Sequence, residues 1–247
     1  MTNPLSDYKF KILNYGGWGT GKTCFSGTWP GMYMLDFDNG RLSLGPKFMR
    51  SGQFTAFPRT PDALQLLTQV IQTKVVPGIQ SGVIQTLVLD SLTTYSDCCM
   101  QRILQVNKKD KMELQLWGEL GSMLQSQLNT LIGLPCHFIV IAHEKTKETP
   151  NGGVIKSQPL AVGQFSDRVG NMFDEVYWSH RAGQDYKLLT KTEGVHMAKS
   201  RLDGFSQMAG GPGIPARIDP SYEILALALS QAILAADNDS EPTEAQN

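Results

Sequence analysis

The stretch "NYGGWGTGKTCFSG", residues 14–27, constrains the fold more than any other. Gly16, Gly21, Lys22 and Thr23 fit the spacing G-x-x-x-x-G-K-[ST]. An apolar run, "YKFKILNYG", leads into it, and residues able to start a helix follow. Glycines let the backbone turn so that successive N–H groups point inward at phosphate oxygens. The following helix adds its positive N-terminus. Gly16, Gly17, Trp18, Gly19, Thr20, Gly21, Lys22, Thr23 and Cys24 are therefore expected to form a nucleotide cradle. Lys22 would reach the β- and γ-phosphates, and the Thr23 hydroxyl would bind Mg²⁺. A glycine-rich hairpin or a chance match is the competing reading, and the strand before and helix after speak against it. Trp18 is read as a packing residue, with base or partner contact as the alternative.

The rest of the chain supports an α/β class. "MYMLDFD", "VIQTLVLD" and "CHFIVIAH" are nearly continuous apolar runs, the pattern of strands buried on both faces. Helical spacing appears in "PDALQLLTQVIQT", in 92–106 and in 113–133, where Trp117, Leu120, Leu124, Leu128 and Leu131 make one stripe. Residues 144–165 read as a long loop rich in Lys, Gly and Pro. "DEVYWSHRAGQDYKLLTKT" reads as two strands around a glycine turn, and "GVHMAKSR" as a further strand. "DPSYEILALALSQAIL" reads as a helix with Asp219 at its N-cap and Pro220 at its first position. Alternating strands and helices predict a mainly parallel sheet flanked by helices, and the late hairpin an antiparallel edge. No repeat or linker divides the chain, so one domain is expected over 1–236, with an acidic disordered tail at 237–247.

Bulk properties narrow the function classes. The formal net charge is −1 and 18% of residues are charged, which excludes a histone-like coating protein but not a local basic loop. The four cysteines show no metal spacing. No signal peptide or bilayer-length apolar run is visible, so a cytoplasmic protein with no membrane partner is expected.

A cradled triphosphate needs carboxylates at the ends of other buried strands. Asp90 ends "TLVLD" and is assigned to the Mg²⁺ shell, though Asp90 or Ser91 could also cap the next helix. Ser91 stands where a glutamate would make an acidic pair, so the water-activating carboxylate must come from elsewhere. Asp38 in "MLDFDNG" offers it; the competing reading is a loop acid beside Asn39-Gly40. Asp36 is read as structural. His143, ending a third strand, is placed to sense the γ-phosphate or is a strand-end histidine satisfied by backbone. His137, His180 and His196 are read as structural.

Taken in order, "GGWGTGKT", "MLDFDNG", "TLVLDSLTTY", "FIVIAHEKTKE" and "MAKSRLDG" resemble a RecA-fold P-loop ATPase, nearest to phage-encoded RecA/RadA-like proteins of the single-strand annealing type. The resemblance spans roughly residues 9–230 and implies ATP and Mg²⁺ as cofactors. In that family a glutamate two residues after an aspartate activates water; the matching position here is Asp38, one methylene shorter. His143 matches the polar switch residue, usually glutamine. The mobile DNA-binding loop would match 144–165, with Lys145, Lys147 and Lys156 for phosphates. "AKSR" resembles the stretch that reaches a neighbour's nucleotide, making Lys199 and Arg201 trans-acting contacts. Surface lysines in an ordinary loop, and surface cations at 199 and 201, are the plainer alternatives. Implied partners are single-stranded DNA, further copies in a ring or filament, and a single-strand binding protein; for a phage protein the compartment is the host cytoplasm.

One motif misleads. "NKKD", residues 107–110, matches a guanine-reading string, but it follows a helical segment rather than an apolar strand. Three functions stay open: an ATP-dependent DNA-binding recombination ATPase, a monomeric small-molecule kinase with 144–165 as its lid, and a non-catalytic nucleotide-dependent loader.

Overall fold

The computed structural model describes residues 7–239. Its strands are β1 (Lys11–Gly16), β2 (Met32–Asp36), β3 (Phe54–Ala56), β4 (Thr86–Asp90), β5 (His137–Glu148), β6 (Val154–Pro159), β7 (Glu175–Ala182), β8 (Asp185–Leu189), β9 (Lys199–Ser200) and β10 (Arg217–Ile218). Its helices are α1 (Lys22–Ser26), α2 (Gly45–Ser51), α3 (Ala63–Val70), α4 (Val76–Gln80), α5 (Leu92–Asn107), α6 (Leu114–Ile132), α7 (Phe165–Arg168), α8 (Arg201–Met208) and α9 (Tyr222–Asp239). The sheet runs β10-β8-β7-β1-β5-β4-β2-β3, with β6 added to β5 and β9 to β7. From β3 across to β7 all neighbours are parallel; β8 and β10 turn antiparallel at the far edge.

Period-two alternation sends the strand residues into two cores. Leu13, Leu35, Leu89 and Val140 face one layer, packed by Leu67, Tyr95 and Leu124 from α3, α5 and α6. Ile12, Met34, Val88 and Ile139 face the other, packed by Phe25, Leu202 and Leu225 from α1, α8 and α9. Both faces are covered, which is why these strands carry unbroken apolar runs. This is a mixed α/β architecture with a mainly parallel central sheet flanked by helices, compatible with a P-loop nucleotide-binding fold.

Several sequence expectations change. Residues 144–165 are not one long loop. β5 runs on to Glu148 and β6 returns antiparallel, closing a hairpin at Gly152, whose φ is 80°. Pro150, Gly152 and Gly153 fall in the turn, Pro159 ends β6 and Gly163 follows it, while Thr146, Val154 and Ile155 supply β-branched strand residues. On α6 the buried stripe uses Leu116 rather than Trp117, which is 39% exposed. The Trp117 ring instead lies against Gly163. The helix read at 61–73 stops at Val70 and continues through a π-helical turn, Ile71–Val75, into α4. Only Lys199–Ser200 of "GVHMAKSR" is strand. α9 begins at Tyr222, so Asp219 does not cap it; Asp219 pairs instead with Lys187 at 2.5 Å. That helix reaches Asp239, so 237–239 are helical rather than tail, and 240–247 lie outside the described residues.

Candidate nucleotide site

The parallel strands set the candidate groups at one level of the sheet. Gly16 pairs with His143, Asp36 with Asp90, and Asp90 with Ile141. In a parallel sheet the carboxyl ends of the strands open onto the crevice where ligands bind. Here the loop after β1, the ends of β2 and β4, and β5 enclose a cleft of about 370 Å³. Trp18, Gly19, Thr20, Gly21, Lys22, Thr23 and Cys24 line one side of it, and Asp38, Asp90 and His143 the other.

Loop geometry matches the phosphate-cradle pattern. Gly19 and Gly21 have φ of 67° and 82°, a region where a Cβ is strained. Gly16 is constrained by space: a Cβ there would stand 2.2 Å from the Ser179 carbonyl oxygen on β7. Lys22 is buried, and its ammonium donates to the Gly16 and Gly17 carbonyls and to Thr20 Oγ1. Burial lowers its pKa, opposed by Asp90, Glu144 and Asp38. Trp18 is 89% exposed at the cleft rim, so the packing expectation fails and the contact reading remains.

Thr23 Oγ1 donates to Asp90 Oδ2 at 2.7 Å. Burial pushes the Asp90 carboxyl up to about 6; the Thr23 hydrogen bond opposes this, Asp38 and Asp36 add to it, and Lys22 opposes it. Asp90 is thus a buried carboxylate short of positive charge. Gly40 leaves room beside it, since a Cβ at position 40 would come 2.1 Å from Asp90 Oδ2 and 3.2 Å from Thr23 Oγ1. An oxygen pair with open space beside it suits a hard divalent cation. Among the described residues there is no cluster of three or more His, Cys, Asp or Glu that could hold a metal alone. That fits magnesium, which keeps waters and substrate oxygens as most of its ligands.

The raised Asp90 value gives a pH prediction. In the unfolded chain this carboxyl ionises near pH 4, in the fold near 6, so the folded state binds more protons between those values. Its contribution to stability is complete below pH 4 and is lost as pH rises through 6, a change of about 3 kcal/mol in the absence of cation. Asp90→Asn removes that slope. Urea unfolding of the variant and the wild type, compared at pH 4 and pH 7 without Mg²⁺, should show the variant gaining relative stability toward pH 7.

Asp38 is a hub rather than a free acid. Ser91 Oγ and Thr94 Oγ1 both donate to it, His143 Nε2 lies 3.3 Å from its Oδ2, and an Arg59 nitrogen lies 3.3 Å from its Oδ1. Burial pushes its pKa up, but the hydrogen bonds from His143, Ser91 and Thr94 outweigh this and bring it to about 2. Asp36 is buried and holds Arg41 and the Gly40 amide, the structural role expected of it. His137 accepts from the Phe10 amide at 3.1 Å, and burial lowers it to about 4, so it stays neutral at pH 7. His180 and His196 stack on the two faces of Trp178.

Thr94, Arg59, Tyr186 and Glu144 were not singled out from the sequence; Ser91 was read as a possible helix cap, and it does cap α5, accepting from the Thr94 amide. Tyr186 on β8 packs on Gly21, and Glu144 accepts from Ser157 and Trp178 near Gly17. Tyr186 sits far from the loop in sequence, with no spacing signal to find it. The bonds from Ser91 and Thr94 to Asp38 are visible only once Asp38 is known to face the start of α5.

The remaining candidates lie away from the cleft. Lys145 is exposed on the hairpin. Lys147 and Lys156 stand directly opposite each other across it, a like-charge pairing that would repel. Asp167 resolves it, at 2.6 Å from Lys147 and 3.5 Å from Lys156. Lys199 and Arg201 do not line the cleft, and Arg201 is paired with Asp174 of its own chain at 2.6 Å. Among the described residues no helix is long and apolar enough to cross a membrane.

A family model described as an AAA domain matches residues 8–202. No curated protein matches the chain.

Proposed function

The chain belongs to the AAA domain family, and on that premise we propose that it is a single-domain, RecA-like ATPase that binds single-stranded DNA in phage-type recombination or annealing, working as a ring or filament of identical copies. One observation carries the nucleotide part: Lys22 and Thr23 from α1, Asp38 from the turn after β2, Asp90 from β4 and His143 from β5 converge on one cleft.

In this reading the loop amides and the N-terminus of α1 hold the phosphates. The Lys22 ammonium leaves the Gly16 and Gly17 carbonyls for the β- and γ-phosphate oxygens. Thr23 Oγ1 and Asp90 would hold magnesium, which when bound neutralises charge on those oxygens. Asp38, ionised far below neutral pH, is a weak proton acceptor; its role is to orient water, with His143 tied to it. Arg201 reaches a neighbouring copy's phosphate only by exchanging Asp174 for it. That exchange is open because an exposed ion pair is worth at most about 1 kcal/mol.

The hairpin favours a nucleic-acid partner over a kinase lid. It carries Lys145, Lys147 and Lys156 and no arginine. Phosphates can replace Asp167 between the opposed lysines. The test is filter binding of single-stranded DNA at low salt, with and without ATP and Mg²⁺. ATP should tighten binding by at least about tenfold; equal retention in both conditions sinks the reading. Lys145→Ala should lower the slope of log K against log salt by about 0.7 to 1. Phosphate release no greater than that of Lys22→Ala would instead favour a non-catalytic loader.

A further inference from the structure

A second cavity, of about 190 Å³, lies at the base of the hairpin between β6, α7 and the segment leading into β9. It is about half the volume of the nucleotide cleft. Its chemistry is unlike that of a packing defect. Gln158 lines it, is 1% exposed, and its side-chain oxygen has no hydrogen-bond partner. A buried carboxamide oxygen left so is rare in a folded protein and calls for a ligand or a water. Asn171, exposed at the rim, brings a second carboxamide, while Val176 and Met197 give apolar walls. Lys156 and Lys199, both half-buried, supply the positive charge.

Carboxamides, apolar walls and two ammonium groups describe three parts of one ligand. A carboxamide sets a donor beside an acceptor and can pair with the edge of a heterocyclic base. Apolar side chains cover the faces of such a ring, and a thioether is favourable against it. Lysines hold the phosphate that follows. Proteins that bind single strands splay individual bases out of the stack and bond their edges in this way.

We propose that this cavity takes one unstacked base of a single-stranded nucleic acid, with Gln158 and Asn171 on its edge and Lys156 and Lys199 on its flanking phosphate. The inference rests on the single-strand reading above and names where one base of that strand goes. It also gives Lys199 a partner within its own chain's binding face. Asp167, which bridges Lys147 and Lys156, gives way to the phosphate.

The experiment compares a labelled oligonucleotide with an abasic strand of equal length, by fluorescence anisotropy, using the full chain with ATP and Mg²⁺. Wild type should bind the base-bearing strand at least about tenfold tighter, the share one well-held base contributes. Gln158→Met keeps the length of the buried side chain without its polar atoms, and Asn171→Ala changes only an exposed residue. Each should bring the ratio down severalfold while binding of the abasic strand stays unchanged. If both variants retain the wild-type ratio, the cavity does not hold a base and the inference fails while the single-strand reading stands. If wild type binds neither strand, the single-strand reading fails and this one with it.

Discussion

Lys22→Ala lowers ATP turnover by about 100- to 1,000-fold, the cost of deleting one well-placed charge-stabilising donor from a site. Lys22 is buried against the loop carbonyls and sits within the field of Asp90, Glu144 and Asp38. Removing it leaves those acids facing incoming phosphate with no nearby ammonium. The loss should appear in both nucleotide affinity and turnover, read by calorimetric titration with ATP and by phosphate release. The fold should survive, because the hydrogen bonds lost are all within the loop itself, to the Gly16 and Gly17 carbonyls and Thr20. Wild-type turnover in a folded Lys22→Ala protein would show that this loop is not where ATP reacts.

Gly16→Ala has the second largest effect, and it acts on the fold first. The added methyl would stand 2.2 Å from the Ser179 carbonyl oxygen, a backbone atom of β7 that cannot swing aside. β1 and β7 must separate, or the loop must move. Overpacking of this kind costs about 1–3 kcal/mol. In a chain of this size that lowers Tm by roughly 2–12 °C. Because the strain lies where the sheet meets the phosphate loop, ATP affinity should fall with it. Gly45→Ala is the comparison: a Cβ there meets nothing within 4 Å, though its φ of 76° carries its own strain. It should leave ATP affinity unchanged. Thermal melts and ATP titrations of the two variants separate a clash at the site from glycine loss in general.

The parts legible in the sequence are those governed by local periodicity. The phosphate loop, β4 with Asp90 and β5 with His143 stood out because strands buried on both faces must be apolar until they reach the cleft. The hairpin of β7 and β8 stood out because its glycine turn is flanked by strand-forming residues. What was illegible depends on distant neighbours. Asp38 was legible as a candidate, with a loop acid as the competing reading, but not as a hub: Ser91 and Thr94 at the start of α5 and His143 on β5 are brought around it only by the fold. Trp117 counts toward the α6 stripe by spacing, yet the close approach of Gly163 draws it onto the loop before α7. Arg201 reads as a free cation, and only the fold supplies Asp174. The 144–165 segment was misread because its Pro and Gly were counted over the whole stretch, although Pro150, Gly152 and Gly153 sit at the turn and Pro159 and Gly163 only at and after the end of β6, leaving both strands free of breakers in between.

β5 has one property that reaches beyond the cleft. Between His143 and Glu148 it contains neither glycine nor proline, and its ladder with β6 stays in register from Glu144 to Lys147. At about 3.3 Å per residue, the in-register part extends some 13 Å past the cleft end of the strand, to the irregularity between Lys147 and Glu148. A small tilt imposed where His143 meets Asp38 is therefore enlarged at the tip, as by the long arm of a balance. On the single-strand reading proposed above, the angle at which the hairpin meets a strand and the occupancy of the cleft become one mechanical variable rather than two.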